Sequence, residues 1–174
     1  KGVELAEQVE LEERVTRVAE MFFPELCEKN SDPRARLHFT DGIKWVADAK
    51  PGSYDVIIVD STDPVGPAAG LFSETFYKNC HRALRAHGIV VGQSESPLFH
   101  PDLIVSMHKA MRAAGFADTA TLQFHQVTYP SGWWSCTMAA KDAALDGFRE
   151  DAAKARDFAT RYYNAAIHNA ARAL

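Results

Sequence analysis

Cysteine is scarce: the 174 residues hold three, at positions 27, 80 and 136, too few and too scattered for a disulfide framework or a zinc site. They read as buried, unreactive thiols. The seven histidines (38, 81, 87, 100, 108, 125 and 168) also lack metal-ligand spacing, so no metal is expected; His100 is the one singled out. Nor is there an excess of basic charge: 19 Lys and Arg against 23 Asp and Glu give a formal charge of -4. That removes the electrostatic reason to expect a nucleic acid or an anionic membrane as partner, and suits a cationic small molecule better. The apolar runs, such as VIIV (56–59) and IVVG (89–92), fall far short of the roughly 20 residues of a membrane span. No leader pattern opens the chain, so the expectation is a soluble, cytoplasmic protein. Repeats and low-complexity linkers are missing too. At 47% hydrophobic and 24% charged, with ten Gly and eight Pro, the composition is that of one globular domain.

What is present is an alternation of strand and helix patterns, which points to an α/β fold. VELAEQVEL (3–11) reads as a strand, and EERVTRVAEMFFPEL (12–26) as a helix with Val15, Val18, Phe22 and Leu26 on one face and Pro24 near its end. RLHF (36–39) is a short strand leading to a brief helix at 43–49. DVIIVD (55–60) is nearly all apolar, as a central parallel strand covered on both faces would be. Ser73 is placed to cap a helix carrying Phe76, Cys80 and Leu84 that stops near Gly88. IVVGQSES (89–96) is the next strand and PDLIVSMHKAMRAAGF (101–116) the next helix, stopped by Gly115. Two strands, about 119–128 and 133–140, flank YPSG, whose composition favours a tight turn and an antiparallel pair. The domain is thus 1–141, and the alanine-rich stretch 142–174 is expected to be a helical tail.

In open α/β sheets, ligands sit beyond the carboxyl ends of the strands. Here those ends carry Glu10, Asp41-Gly42, Asp60 with Asp63, and Gln93 with Glu95. Glu10 can accept hydrogen bonds from both hydroxyls of a ribose, or can be a solvated acid at a helix start. Asp41 can accept from the amino group of a base, with Gly42 allowing close approach, or can cap the helix that follows. Asp60 and Asp63 follow a segment too apolar for a surface loop and precede the stiffening Pro64 and Pro67, although an Asx-bonded turn is an alternative. Trp133 and Trp134 alternate along a strand, so one can wall a channel while the other is core.

YDVIIVDSTDPVGPAAGLF (54–72), QSESP (93–97), YPSGWW (129–134) and VELEERVTRVAEMFFPEL (9–26) together resemble the signature stretches of the polyamine aminopropyltransferases, above all the spermidine synthases. The resemblance covers nearly the whole chain. It implies a Rossmann-like, methyltransferase-type sheet with helices on both faces and a C-terminal antiparallel pair. It also implies transfer of an aminopropyl group from decarboxylated S-adenosylmethionine to putrescine, giving spermidine and methylthioadenosine, with no metal. The proton acceptor falls on Asp60. Asp63 would hold the attacking amine, with Ser61, Thr62, Gln93 and Tyr129 also at the substrate. Glu10 falls on the ribose, Asp41 and Gly42 on the adenine, and Pro67 against the adenine ring. The family's small N-terminal β-domain and glycine-rich loop have no counterpart here, so the expectation is a fold lacking its N-terminal part, with unpaired strand edges and contact with other copies in a dimer or tetramer. Related aminopropyl- or methyltransferases with another acceptor, and an inactive fragment or interaction domain, are the other readings.

The chemistry gives the two aspartates a purpose of their own. A primary ammonium, with a pKa of about 10, cannot attack carbon until it loses a proton. One carboxylate can accept that proton while both orient the cation.

Overall fold

The computed structural model describes residues 2–172, which divide into two compact units at residue 49. In the first unit, β1 (Ala6–Glu10) and β2 (Ala35–Phe39) pair in parallel, with Glu10 opposite Phe39. Between them run α1 (Glu13–Phe22) and α2 (Pro24–Cys27). The single helix expected over 12–26 is therefore broken, and the reason is Pro24. Its ring disfavours helical backbone in the preceding residue, and Phe23 sits at φ -133°, ψ 51°. The strand expected over 3–11 is likewise shorter, and β2 is followed by α3 (Gly42–Asp48).

The second unit is built on β3 (Tyr54–Val59), β4 (Leu84–Gln93), β5 (Asp118–His125) and β6 (Trp133–Ala140), in the spatial order β3-β4-β6-β5. β3 and β4 are parallel, and β6 runs antiparallel to both β4 and β5. A 3-10 helix (Gly66–Phe72) leads from β3 into α4 (Glu74–Ala83), which Ser73 caps by accepting from the Phe76 N–H at 3.1 Å, as expected. α5 (Pro101–Ala113) precedes β5. The core holds Phe76, Tyr77 and Cys80 of α4, Val90 of β4, and Met107 and Met111 of α5, all buried. Burial pushes the Cys80 thiol up to about 12, as an inert thiol requires, whereas Cys27 and Cys136, also expected to be buried, are only partly so.

Four further expectations need correction. β4 begins at Leu84, well before Gly88, and absorbs the difference as an irregularity: Tyr54 pairs with Leu84, but Val56 pairs with Ile89. His87 adopts φ 62° there, and Gly88 lies so close to Arg85 and Leu84 that a Cβ would sit 2.9 Å from the Arg85 carbonyl. β3 is not covered on both faces, since Val56 and Ile58 are 54% and 73% exposed; it is the last strand of its sheet. The antiparallel pair is joined through 126–132, with Gly132 at φ 62°, so β5 ends three residues earlier than expected. The tail holds two short helices, α6 (Glu150–Lys154) and α7 (Ala165–Ala171), with residues 155–164 irregular. Arg156 bonds to Ala153 O, Thr160 Oγ1 and Tyr163 O, turning the chain, and Asn164 then caps α7. Ala173 and Leu174 of the tail lie outside the described residues.

Candidate active site

β3 delivers Asp60. Its last residue, Val59, pairs with Gly92, which places Asp60 beside the end of β4, where Gln93 stands. The chain then turns through Ser61, Thr62 and Asp63. The Ser61 hydroxyl donates to the Thr62 carbonyl at 3.1 Å, and the Val65 N–H donates to the Asp63 carbonyl at 2.6 Å. From the opposite side, β6 brings Trp134, on which Tyr129 of the β5–β6 connection stacks at 4.0 Å between ring centroids and 17° between planes. Together Asp60, Ser61, Thr62, Asp63, Val65, Gln93, Tyr129 and Trp134 line an open cleft of about 600 Å³. No lysine, arginine or histidine is among them. Two carboxylates and a stacked aromatic wall, without a competing cation, make a site for a small positively charged molecule.

Six residues that the sequence nominated for the substrate side line this one cleft: Asp60, Ser61, Thr62, Asp63, Gln93 and Tyr129. Pro67 sits in the 3-10 helix and is exposed, and it is not among the lining residues. Glu10, Asp41 and Gly42 belong to the first unit, where parallel β1 and β2 end side by side. There Glu10 Oε1 accepts from the Glu12 N–H at 2.9 Å. Asp41 Oδ1 accepts from the Ile43 and Lys44 N–H groups at 2.8 and 3.4 Å, so Asp41 does cap α3, with Gly42 as its first residue.

Sequence reasoning placed Glu95 at a strand end but gave it no role. It is 3% exposed and adopts φ 62°, a left-handed conformation uncommon outside glycine. Its N–H donates to Gln93 Oε1 at 3.2 Å, and its carbonyl accepts from the Ser135 hydroxyl at 2.8 Å. Ser135 in turn belongs to a buried chain of hydroxyls: Ser135 to Ser94 at 2.8 Å, Thr137 to Ser94 at 2.9 Å, and Thr121 to Thr137 at 2.9 Å. His108 of α5 closes the chain, bonding to Thr119 and Thr121 at 2.8 and 2.9 Å. The Glu95 carboxyl has His100 Nδ1 3.5 Å from Oε2, and its Oε1 is buried without a hydrogen-bond partner. Burial first, and the nearby Asp63 carboxyl second, raise its pKa above the usual carboxylate range; His100 and Gln93 oppose them. The sequence signal was an acid in a run of small polar residues, SES, just past a buried strand.

Residues 1–147 match the spermine/spermidine synthase domain family. A polyamine aminopropyltransferase of Methylococcus capsulatus is 66% identical over 169 residues, which cover 97% of this chain and 59% of that protein. Among solved structures, a spermidine synthase in complex with the transition-state analogue AdoDATO superposes with a TM-score of 0.91 at 30% identity, over 98% of this chain and 58% of that one. The spermidine synthase of Thermotoga maritima gives 0.89 at 30% identity, over 98% and 57%. The chain therefore spans about three fifths of the length of these relatives and shares their Rossmann-like fold over that span. A match through residue 147 that takes in both the two-aspartate loop and the β5–β6 pair places the chain in the spermine/spermidine synthase domain family.

Proposed function

We propose that this chain carries the amine-acceptor side of an aminopropyltransferase, which moves an aminopropyl group from decarboxylated S-adenosylmethionine to putrescine, forming spermidine and methylthioadenosine. The observation that carries the reading is the pair Asp60 and Asp63 on one wall of a cleft with no basic side chain, facing the Tyr129–Trp134 stack. Family membership supports it, as do the name of the Methylococcus relative and the analogue bound in the solved spermidine synthase.

The donor is a sulfonium, so the leaving group departs as a neutral thioether and the carbon needs only a neutral amine. Asp60, at the end of a hydrogen-bonded strand, is the proton acceptor as the C–N bond forms. Asp63 holds the incoming ammonium, and Gln93, Ser61 and Thr62 supply polar contacts around it. Tyr129 and Trp134 offer ring faces to the cation and its methylene chain. On the donor side, Glu10 is assigned to the ribose, Asp41 and Gly42 to the adenine, and Pro67 to the adenine ring face.

The test is steady-state transfer to putrescine by the polypeptide extended to its relatives' length, with spermidine and methylthioadenosine quantified together. Asp60→Asn should lower kcat by roughly 10²–10⁴-fold, the range for loss of a general base, with donor affinity unchanged. Asp63→Asn should raise the putrescine KM and lower kcat less. Near-normal turnover in Asp60→Asn would remove the base assignment, and no transfer by the unsubstituted protein would remove the function.

A further inference from the structure

Behind the cleft, four hydroxyls cross the sheet of the second unit in one line. The Ser135 hydroxyl lies 2.8 Å from that of Ser94, Ser94 lies 2.9 Å from Thr137, and Thr137 lies 2.9 Å from Thr121, its partner in register. His108 of α5 ends the line, with Nε2 2.9 Å from Thr121 and Nδ1 2.8 Å from Thr119. Ser94, Ser135 and Thr137 are fully buried, where apolar residues of the same shape would pack as well. The direction of the line is fixed at its other end. A carbonyl only accepts, so the single Ser135 proton goes to the Glu95 carbonyl at 2.8 Å. Ser94 must then donate to Ser135, Thr137 to Ser94, and Thr121 to Thr137, because each hydroxyl has one proton to give. Thr121 has none left for His108, so Nε2 carries the ring proton and Nδ1 accepts from Thr119.

The line meets the cleft through one residue's backbone. Glu95, at φ 62°, takes the Ser135 proton on its carbonyl and turns its N–H to Gln93 Oε1 at 3.2 Å. That conformation is uncommon outside glycine and persists only where the surroundings over-determine it. With Oε1 occupied, Nε2 is the end of the Gln93 amide left buried and unpartnered, so this cleft-lining residue presents a donor.

We propose that His108 is a positioning residue of the cleft: as the Nε2–H tautomer it is the first donor of a one-way chain, Thr121 to Thr137 to Ser94 to Ser135, that holds the Glu95 backbone and through it the amide of Gln93. The inference rests on the amine reading of the cleft and adds to it the groups that aim Gln93. No proton is transferred, because the chain acts by its polarity. Hydrogen bonds in a low-dielectric interior polarise one another, so each link is strengthened by those behind it. The opposite polarity would take the Ser135 proton away from the Glu95 carbonyl and so free the N–H that orients Gln93.

Nitrogen-15 NMR of the chain as it stands reads the His108 ring and the Gln93 side-chain amide together, at about pH 8, above the ordinary histidine value of about 6.5, where the ring is neutral. The ring should be the Nε2–H tautomer, and an Nδ1–H ring overturns the proposal. Thr137→Val keeps the shape of the side chain and removes a middle link that touches neither reporter group. Thr121 then has only His108 to donate to, so the ring should move toward Nδ1–H and the Gln93 amide signals should shift. Thr137→Ser keeps the hydroxyl and should leave both as in the unsubstituted chain. A merely structural Thr137 would alter stability without moving the tautomer. A Gln93 amide that Thr137→Val leaves unmoved overturns the proposal. Should Thr137→Val not fold, the tautomer of the unsubstituted chain and Ser94→Ala, which cuts the next link, decide in its place.

In the polypeptide extended to its relatives' length, His108→Leu should lower kcat for transfer to 1,4-diaminobutane by roughly 10-fold, within the roughly 10²-fold that a 1 Å misplacement can cost, with donor affinity unchanged. His108→Gln, whose amide can still donate to Thr121, should recover most of that loss. An unchanged kcat in His108→Leu sinks this inference and leaves the function. Absence of transfer by the unsubstituted protein, with the tautomer and the Gln93 amide responding as expected, sinks the function proposed above and leaves the positioning of Gln93 standing.

Discussion

Asp60 and Asp63 are three residues apart but stand on different backbone, one at the end of a paired strand and the other in the turn that follows. Their place in the cleft was legible because the elements around them are: an apolar run ending in an acid is a strand end, and a strand end in this fold class faces a ligand. Gln93 is legible for the same reason, at the end of β4, whereas Tyr129, in the YPSG connection, is placed at the substrate by the family resemblance alone. Glu95 was not, because its inward aim depends on a left-handed backbone and on a hydroxyl of β6, 40 residues away in sequence. That position has a consequence for stability. A carboxyl whose folded pKa lies above its unfolded value contributes stability that is complete below the unfolded value and is lost as pH rises through the folded one. Burial and Asp63 raise Glu95 in this way. Glu95→Gln cannot ionise, so its melting temperature should match the unsubstituted chain near pH 4 and exceed it near pH 8. Thermal melts at the two pH values decide this; a variant that melts lower at pH 8 would mean the ionised carboxylate is well paired.

At the scale of elements, caps are legible where the signal is local, and tertiary contacts decide the rest. Ser73 caps α4 because a hydroxyl needs only the N–H three residues on. In the tail, alanine content favours helix, but Arg156 binds three oxygens across residues 153–163 and ends α6 there. β4 starts early because Lys141 Nζ donates to the Leu84 carbonyl at 2.6 Å and Asp142 accepts from the His87 N–H at 2.8 Å, contacts from far along the chain. α5 offers an element-scale test. Its His108 ties the helix to β5 through two threonine hydroxyls, and burial first, then Arg112, hold its pKa below the usual value. A histidine lowered on folding stabilises above its unfolded pKa of about 6.5, and that contribution is lost as pH falls through its folded value. The melting temperature should therefore drop on acidification from pH 7 toward 5, and His108→Gln should flatten that part of the profile. An unchanged slope in the variant would assign the acid sensitivity elsewhere.

At the scale of the whole molecule, the chain spans about three fifths of the length of its relatives, and β3 is the last strand of its four-stranded sheet. Val56 and Ile58 lie two apart, so they share one face of the strand; Ile57 and Val59 point the other way, where Met107 of α5 approaches Gly92, the partner of Val59. The sequence reading of DVIIVD as a doubly covered strand follows from its composition, and composition records the environment in which the segment functions. The open face of Val56 and Ile58 is thus expected to be covered in a polypeptide extended to its relatives' length, and contact with another copy is the competing way to cover it. A single substitution separates these outcomes. Ile58→Ser in the present chain alters a side chain that is 73% exposed, and it should change stability by no more than about 0.5 kcal/mol. In a polypeptide extended to its relatives' length the same substitution should cost about 1.5–3 kcal/mol, the value of fully burying such a side chain, read from urea midpoints. If instead the cost appears in the short chain and grows with protein concentration, a second copy covers the face. Equal, small costs in both lengths would show that β3 keeps this face in solvent.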